Sequence, residues 1–282
     1  MHFSKIAILG PGLLGGSIAL ALRARAPETR IAIWARRESA LDEVRRAKIA
    51  DVASTELEPV VREAKLLVLC LPIGAMAATA EKIAPLLDAD ALVTDVGSVK
   101  SCVVAQLAPI FKTRGRFIGS HPMAGSEQAG LAAARADLFQ NAMCILTPEN
   151  DDDALFALEN FWKKLGCRVA KLSPQEHDEI VARVSHLPHL LAAALVHLAT
   201  APPENALDFS GPGFRDTTRV ASGPPAMWAE ILLENRGPVQ NSLHAMIENL
   251  RGLLKLLAAD DAVALERFLA EAKTRRDAFT NK

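Results

Sequence analysis

Between Lys5 and Leu172 short apolar runs alternate with longer amphipathic stretches, and this alternation restricts the fold more than any single residue does. The runs Lys5 to Leu9, Arg30 to Trp34, Leu66 to Leu71, Ala91 to Asp95, Arg116 to Gly119, Met143 to Thr147 and Arg168 to Lys171 read as strands. Helical periodicity lies between them, at Gly16 to Ala26, Ala40 to Lys48, Met76 to Leu86 and Asp152 to Leu165. In the last of these Leu155, Leu158, Phe161, Trp162 and Leu165 make one apolar face. Strands joined through helices are βαβ units, so the expected class is α/β, with a mainly parallel sheet covered on both faces. After Ser173 the strand signal stops. Only helical patterns follow, at Gln175 to Thr200, Arg215 to Ser222, Ala226 to Leu257 and Ala262 to Thr280, with Gly237–Pro238 as a kink or break in the third.

A length of 282 residues suits about two domains at ~100–200 residues each, and the change of pattern puts their boundary near Leu172 to Pro174. The 32 Lys and Arg nearly cancel the 33 Asp and Glu, so no overall basic field exists to hold nucleic acid or an anionic membrane surface. Cys70, Cys102, Cys144 and Cys167 are at least 23 residues apart, a spacing that supplies no metal site and no disulfide framework. A reducing, cytoplasmic setting is expected. The uncharged run Ile6 to Leu22 is broken by five residues, Gly10, Pro11, Gly12, Gly15 and Gly16, so it reads as neither signal peptide nor membrane anchor.

Those residues carry chemistry instead. Gly10-Pro-Gly12-Leu-Leu-Gly15 follows a predicted strand and opens a predicted helix, the setting in which GxGxxG binds a dinucleotide. Gly10 makes the tight turn, Gly12 admits the pyrophosphate to the backbone, and Gly15 lets helix and strand pack closely. Leu13 and Leu14 start the helix whose free N–H groups face the phosphates. The chain therefore divides into a Rossmann-type dinucleotide-binding domain over residues 1–172 and an all-α substrate and dimerisation domain over residues 173–282. An NAD-selective site has an acidic residue about 20 positions further on, where this chain has Trp34-Ala35-Arg36-Arg37. Two guanidiniums suit a 2′-phosphate, so NADP is expected over NAD, although NAD remains possible; the alternative is a solvated basic turn balanced by Glu38.

Open parallel sheets bind ligands beyond the carboxyl ends of their strands. Two polar motifs are expected there: Asp95-Val-Gly97-Ser98-Val-Lys100, and the run Gly119 to Glu127 that contains Ser120, His121 and Pro122. Pro122 biases His121 toward an extended backbone, and a histidine at that edge can act as a general base near neutral pH. Ser98 reads equally as the N-cap of the following helix.

Three segments in order behind the fingerprint carry a family resemblance: Gly119-Ser-His-Pro-Met-Ala-Gly125, Ser185-His186-Leu-Pro-His189, and Phe214-Arg-Asp-Thr-Thr-Arg219 followed by Trp228. Over nearly its whole length the chain resembles the prephenate and arogenate dehydrogenases of tyrosine biosynthesis, the TyrA family. The resemblance implies oxidative decarboxylation of a cyclohexadienyl acid, with a hydride passing to NADP and 4-hydroxyphenylpyruvate or tyrosine as product. His121 would take the proton of the 4-hydroxyl, and Ser98 would hydrogen-bond that histidine and approach the nicotinamide. Arg219 would hold the ring carboxylate, and His189 would lie near the substrate side chain. His186 shares a helix face with His189 and reads as a substrate contact or as a buried structural histidine. Trp228 walls the pocket or fills core, Arg215 faces solvent or Asp216, and Glu127 and Asp178 match polar positions near the site without a defined role.

Two other readings compete. One is another NAD(P)-dependent dehydrogenase of the β-hydroxyacid or pyrroline-5-carboxylate reductase type, yet Gln175 to Thr200 has no lysine-centred motif of the hydroxyacid enzymes. The other is a non-catalytic NADP-sensing module, which has no use for His121, Ser98 and Arg219 in one pocket. The apolar positions along Leu187 to Leu198 and Ile247 to Leu257 exceed what one small helical domain hides, so a homodimer through these helices is expected.

Overall fold

A computed structural model of the chain describes residues 3–150, 152–201 and 206–280. Its first part runs β1 (Lys5–Leu9), α1 (Leu13–Arg25), β2 (Arg30–Trp34), α2 (Glu38–Ala47), β3 (Val52–Ser54), α3 (Glu58–Val61), β4 (Leu66–Leu69), α4 (Ile73–Ile83), β5 (Leu92–Asp95), α5 (Ser101–Ile110) and β6 (Arg116–Phe117). The six strands form one parallel sheet in the order β3-β2-β1-β4-β5-β6. The order reverses between β1 and β4, which opens a crevice at the carboxyl ends of the strands, and the Gly10 turn lies in it. Because the sheet is covered on both faces, the middles of its central strands are apolar on both sides, with charged residues such as Lys5, Arg30 and Asp95 at strand ends. Ile6 and Ile8 enter one core with α1, whereas Ala7 and Leu9 enter the other with Val103 and Leu107 of α5. Fully buried side chains such as Ile8, Ile33 and Leu69 each contribute about 1.5–3 kcal/mol.

The strand expected over Arg116 to Gly119 is divided, and this corrects the picture of a single sheet. At Ile118 the chain leaves the large sheet, and β7 (Gly119–Pro122) joins a second one with β8 (Met143–Thr147), α6 (Asp153–Leu165) and β9 (Arg168–Lys171) following. There β7 pairs antiparallel and β9 parallel with β8. The side chains that end β5 cover the transfer: Thr94 Oγ1 donates to the Ile118 carbonyl (2.7 Å), and Asp95 Oδ1 accepts from the Ser120 N–H (3.1 Å). Strand β3 and helix α3 are also present without having been expected, and the helix expected after Ser98 is α5.

Helices alone follow: α7 (Pro174–Val181), α8 (Leu187–Ala199), α9 (Pro212–Thr218), α10 (Pro225–Glu234), α11 (Arg236–Ala258) and α12 (Ala262–Thr280). A capping box starts α7, in which Ser173 Oγ accepts from the Glu176 N–H and Glu176 accepts from the Ser173 N–H. Between α7 and α8 a π-helical turn spans Ala182–His186. Pro188 accounts for it, since its ring crowds the carbonyl four residues back and it has no N–H to offer. The run Pro174–Ala199 is long and apolar enough by composition to cross a membrane, but it contains the buried polar residues His177, Asp178, His186 and His189. The break expected at Gly237–Pro238 occurs at Asn235, between α10 and α11.

The chain forms two compact units, one ending at Arg236 and one starting at Gly237. The first therefore takes in the helices up to α10. Hydrogen bonds across the sequence tie them to the sheet region: the Gly74 N–H at the start of α4 donates to Glu230 of α10 (2.6 Å), and Asp178 of α7 meets the start of α5. In the second unit Leu250, Leu254 and Leu257 lie exposed along one face of α11, and Val263, Phe268 and Leu269 are exposed on α12.

Candidate active site

The glycine turn has the geometry its motif implies. Gly10 has φ +106°, and a Cβ there would stand 2.3 Å from the Cys70 carbonyl oxygen; at Gly15 it would stand 2.1 Å from the Gly10 carbonyl oxygen. At Gly12, by contrast, a Cβ would meet nothing within 4 Å, so open space faces the backbone where a phosphate would approach. Helix α1 starts at Leu13 and Leu14 with no side-chain cap and no acidic residue in its first turn, leaving its N–H groups to an anion. These residues fit a dinucleotide. Arg36 and Arg37 follow β2, both exposed, and Arg37 is the N-cap residue of α2. Glu38 is bonded to Arg45 (2.6 Å), and among the described residues neither Arg36 nor Arg37 has an ion-pair partner.

His121 is not beyond a strand end, as the sequence suggests, but within β7, opposite Ile145 and only 7% exposed. Its Nδ1 lies 2.8 Å from Nε2 of His177, whose Nδ1 lies 2.8 Å from Oδ1 of Asp178. The carboxylate of Asp178 also accepts the Lys100 N–H (2.7 Å) and the Ser101 N–H (2.9 Å), so it caps α5 from 77 or more residues away. Ser98 does not cap that helix. Nor does it bond to His121 among the described residues: the partner of His121 is His177. Beneath the Ser98 loop Lys100 and Asp95 form a wholly buried ion pair, and Asp95 accepts the Gly97 N–H (2.7 Å). Burial, then the charges of His177, Lys100 and His186, push His121 well below its ordinary pKa. Burial also lowers His177 against the opposing pull of Asp178. Although burial alone would raise Asp178, the donors from His177, Ser101 and Lys100 hold it below the usual carboxylate range. His121 is thus neutral, with a carboxylate two steps away.

His186 and His189 are both buried, as their spacing on one face implies. His189 stacks on Trp228 with ring centroids 3.6 Å apart, and His186 meets the same indole edge-on at 6.2 Å. Trp228 is partly buried against the sheet core, so it both walls these histidines and packs. Asn235 Nδ2 donates to His186 Nδ1 (3.0 Å) and to the Asp178 carbonyl (2.8 Å). Nε2 of His186 and Nδ1 of His189 have no protein partner. Burial pushes His186 down to about 4. Arg219, expected to hold the ring carboxylate, stands in the turn Arg219–Ser222, its side chain 60% exposed and bonded to Glu127 at 2.7 Å. Arg215 is exposed. His177 and Asn235 were not singled out from sequence, and Asp95 and Lys100 appeared there only as the ends of a polar motif, without a role of their own. Only the run Asp95 to Lys100 held a signal, because two opposite charges five residues apart flank a glycine beside a buried strand.

Two family models match in succession, one described as the nucleotide-binding domain of prephenate dehydrogenase over residues 18–171 and one as its dimerization domain over residues 173–271. The chain belongs to the prephenate dehydrogenase family. A cyclohexadienyl dehydrogenase of Zymomonas mobilis is 34% identical over 97% of this chain and 95% of its own. A prephenate dehydrogenase of Bacillus subtilis is 37% identical over 96% of this chain and 75% of its own. The crystal structure of Aquifex aeolicus prephenate dehydrogenase with hydroxyphenyl propionate and NAD+ superimposes with a TM-score of 0.92 at 31% identity, covering 99% of both chains. This prephenate dehydrogenase relative is accordingly an NAD(P)-dependent oxidoreductase with a Rossmann-type nucleotide-binding fold.

Proposed function

We propose that the enzyme oxidatively decarboxylates a cyclohexadienyl acid, prephenate or arogenate, with NADP preferred over NAD. The observation that carries the chemistry is His121: a neutral, buried imidazole whose Nδ1 is engaged, so that Nε2 is the atom left to accept a proton. In this reading the 4-hydroxyl of the substrate donates to His121 Nε2, and Ser98 holds the same hydroxyl region against the cofactor. The nicotinamide, when bound, accepts the C4 hydride. Arg219 takes the ring carboxylate in place of Glu127, and His186, His189 and Trp228 line the side-chain end of the pocket. Residues 1–172 carry the cofactor, residues 173–282 supply the substrate side, and the exposed apolar faces of α11 and α12 pair with a second copy in a cytoplasmic homodimer.

The NADP preference rests on Arg36 and Arg37, exposed and unbalanced by Glu38. NAD+ in the Aquifex structure speaks for the other cofactor in that relative. An assay of prephenate and arogenate, each with NAD and NADP, tests both points. Turnover of at least one acid, with kcat/KM about tenfold or more higher for NADP, is the expected result. Equal values would leave the arginines as a solvated turn, and NADP binding without turnover of either acid would favour a sensing module. Light scattering at low micromolar concentration should give twice the 30.2 kDa chain mass.

A further inference from the structure

We propose that His177 and Asp178 are positioning residues that fix the tautomer of His121 and support the charge it acquires. The inference rests on His121 as the base and assigns work to two further buried groups beside it. The argument starts at Asp178. Its carboxylate receives three hydrogen bonds, from the Lys100 N–H, the Ser101 N–H and His177 Nδ1, and it sits at the N-terminus of α5, where the helix dipole favours negative charge. A carboxylate that only accepts must receive the proton of His177 Nδ1. His177, wholly buried and neutral, then presents Nε2 as a bare lone pair. The hydrogen bond at 2.8 Å to His121 has therefore one direction: His121 Nδ1–H donates and His177 Nε2 accepts. Each ring has one proton to place, so His121 Nε2 is unprotonated in the resting enzyme.

The same chain acts after the proton moves. The 4-hydroxyl proton binds at His121 Nε2 and makes an imidazolium, while Nδ1–H stays where it was and no proton needs to travel to His177. The new positive charge is then separated from Asp178 by a single neutral ring in an interior that screens poorly. Other charged or titratable groups face this chain as well. Lys100, paired with Asp95, and His186 both oppose a positive His121, so Asp178 is the negative group bonded to the relay itself. His189 lies further along α8 against Trp228. The helix turn that carries His177 and Asp178 is anchored independently by Asn235, which binds the Asp178 carbonyl.

Nitrogen-15 NMR of histidine-labelled full-length enzyme reads the tautomer directly. A protonated Nδ1 and a bare Nε2 on His121 are expected, and the reverse assignment in the unmodified protein overturns the proposal whatever the variants do. His177→Leu, which cannot accept, should lower kcat roughly 10- to 100-fold, a portion of the 10²–10⁴ a general base supplies, with the KM values for substrate and cofactor held within about threefold. It should also mix the His121 tautomers and displace the acid limb of the pH profile. His177→Gln keeps an acceptor for His121 and a donor for Asp178, and should recover most of the turnover. An unchanged kcat and tautomer in His177→Leu would overturn the relay. If His177→Leu does not fold, the unmodified spectrum together with His177→Gln decides. Failure of the base assignment is distinct, since it would appear as wild-type turnover in His121→Asn.

Discussion

The Asp178–His177 contact inside the enzyme and the Glu127–Arg219 contact at its rim are nearly equal in length, 2.8 and 2.7 Å, yet they are physically different objects. His177 and Asp178 are 0% and 5% exposed at the side chain; Arg219 is 60% exposed and Glu127 32%. The rim contact joins two full charges in water, where attraction is weak, whereas the interior contact is a hydrogen bond from a neutral ring to a carboxylate in surroundings that polarise weakly. The interior pair does not readily exchange its partners for water, because both oxygens of Asp178 already accept from protein donors in a buried setting. The rim pair can, and solvent screens it. Distance alone therefore says little. The buried chain suits a proton whose position must be fixed, and the exposed pair suits a charge that must be surrendered to a substrate carboxylate.

The strongest way to break this contrast is His121→Asn. It should cut kcat by roughly 10²–10⁴ while cofactor binding, measured by fluorescence titration, stays nearly intact. Acid should come next. His121, His177, His186 and His189 are all held below the ordinary histidine pKa, chiefly by burial, so the unfolded chain binds more protons than the folded one in mild acid. Stability is then fully present above about pH 6.5 and falls as the pH drops; for His186 the window extends down to about 4 and is worth on the order of 3 kcal/mol. Urea unfolding at pH 7 and pH 5 measures this. If His121 is the base, as proposed, its neutral form is the active one and the acid limb of kcat/KM should also lie below 6.5.

The rim should respond more weakly and with a sign of its own. Arg219→Ala should raise KM for the substrate about tenfold and leave KM for the cofactor alone, whereas Glu127→Gln, which releases the guanidinium, should lower it. Added salt should shrink both effects and leave the His121 variant unaltered. The smallest change belongs to the other exposed arginines. Arg36→Asp should move the cofactor preference several-fold toward NAD, with Arg37→Asp following in lesser degree, read as the ratio of kcat/KM for the two cofactors.

Periodicity identified β1, β2 and β8 to the residue, because a strand covered on both faces leaves a nearly continuous apolar run, and it identified β9 as well, although Arg168 and Lys171 at its ends are exposed. The division at Ile118 was not legible. It depends on the side chains of Thr94 and Asp95 taking the place of ladder bonds, a substitution between segments about 25 residues apart that no local pattern records. Helix α5 was legible as the helix that follows Ser98, but its cap was not, because the cap comes from Asp178 and not from a neighbouring Ser or Asp. His121, His186, His189 and Trp228 were legible through their motifs, and the structure gathers the last three about one indole. His177 was not, since a histidine one residue from an aspartate on an amphipathic helix has many uneventful explanations. Burial of Lys100 is likewise invisible in a sequence, where lysine argues for surface.

The long-range cap on α5 has a consequence for how the polypeptide is made. When a ribosome has released the first 172 residues, every strand of both sheets has been synthesised, but the N–H groups of Lys100 and Ser101 still lack their acceptor. Elongation at roughly 5–20 residues per second leaves this nascent sheet waiting for α7. The first turn of α5 thus receives its carboxylate cap only with the arrival of the helix that also brings His177 to His121.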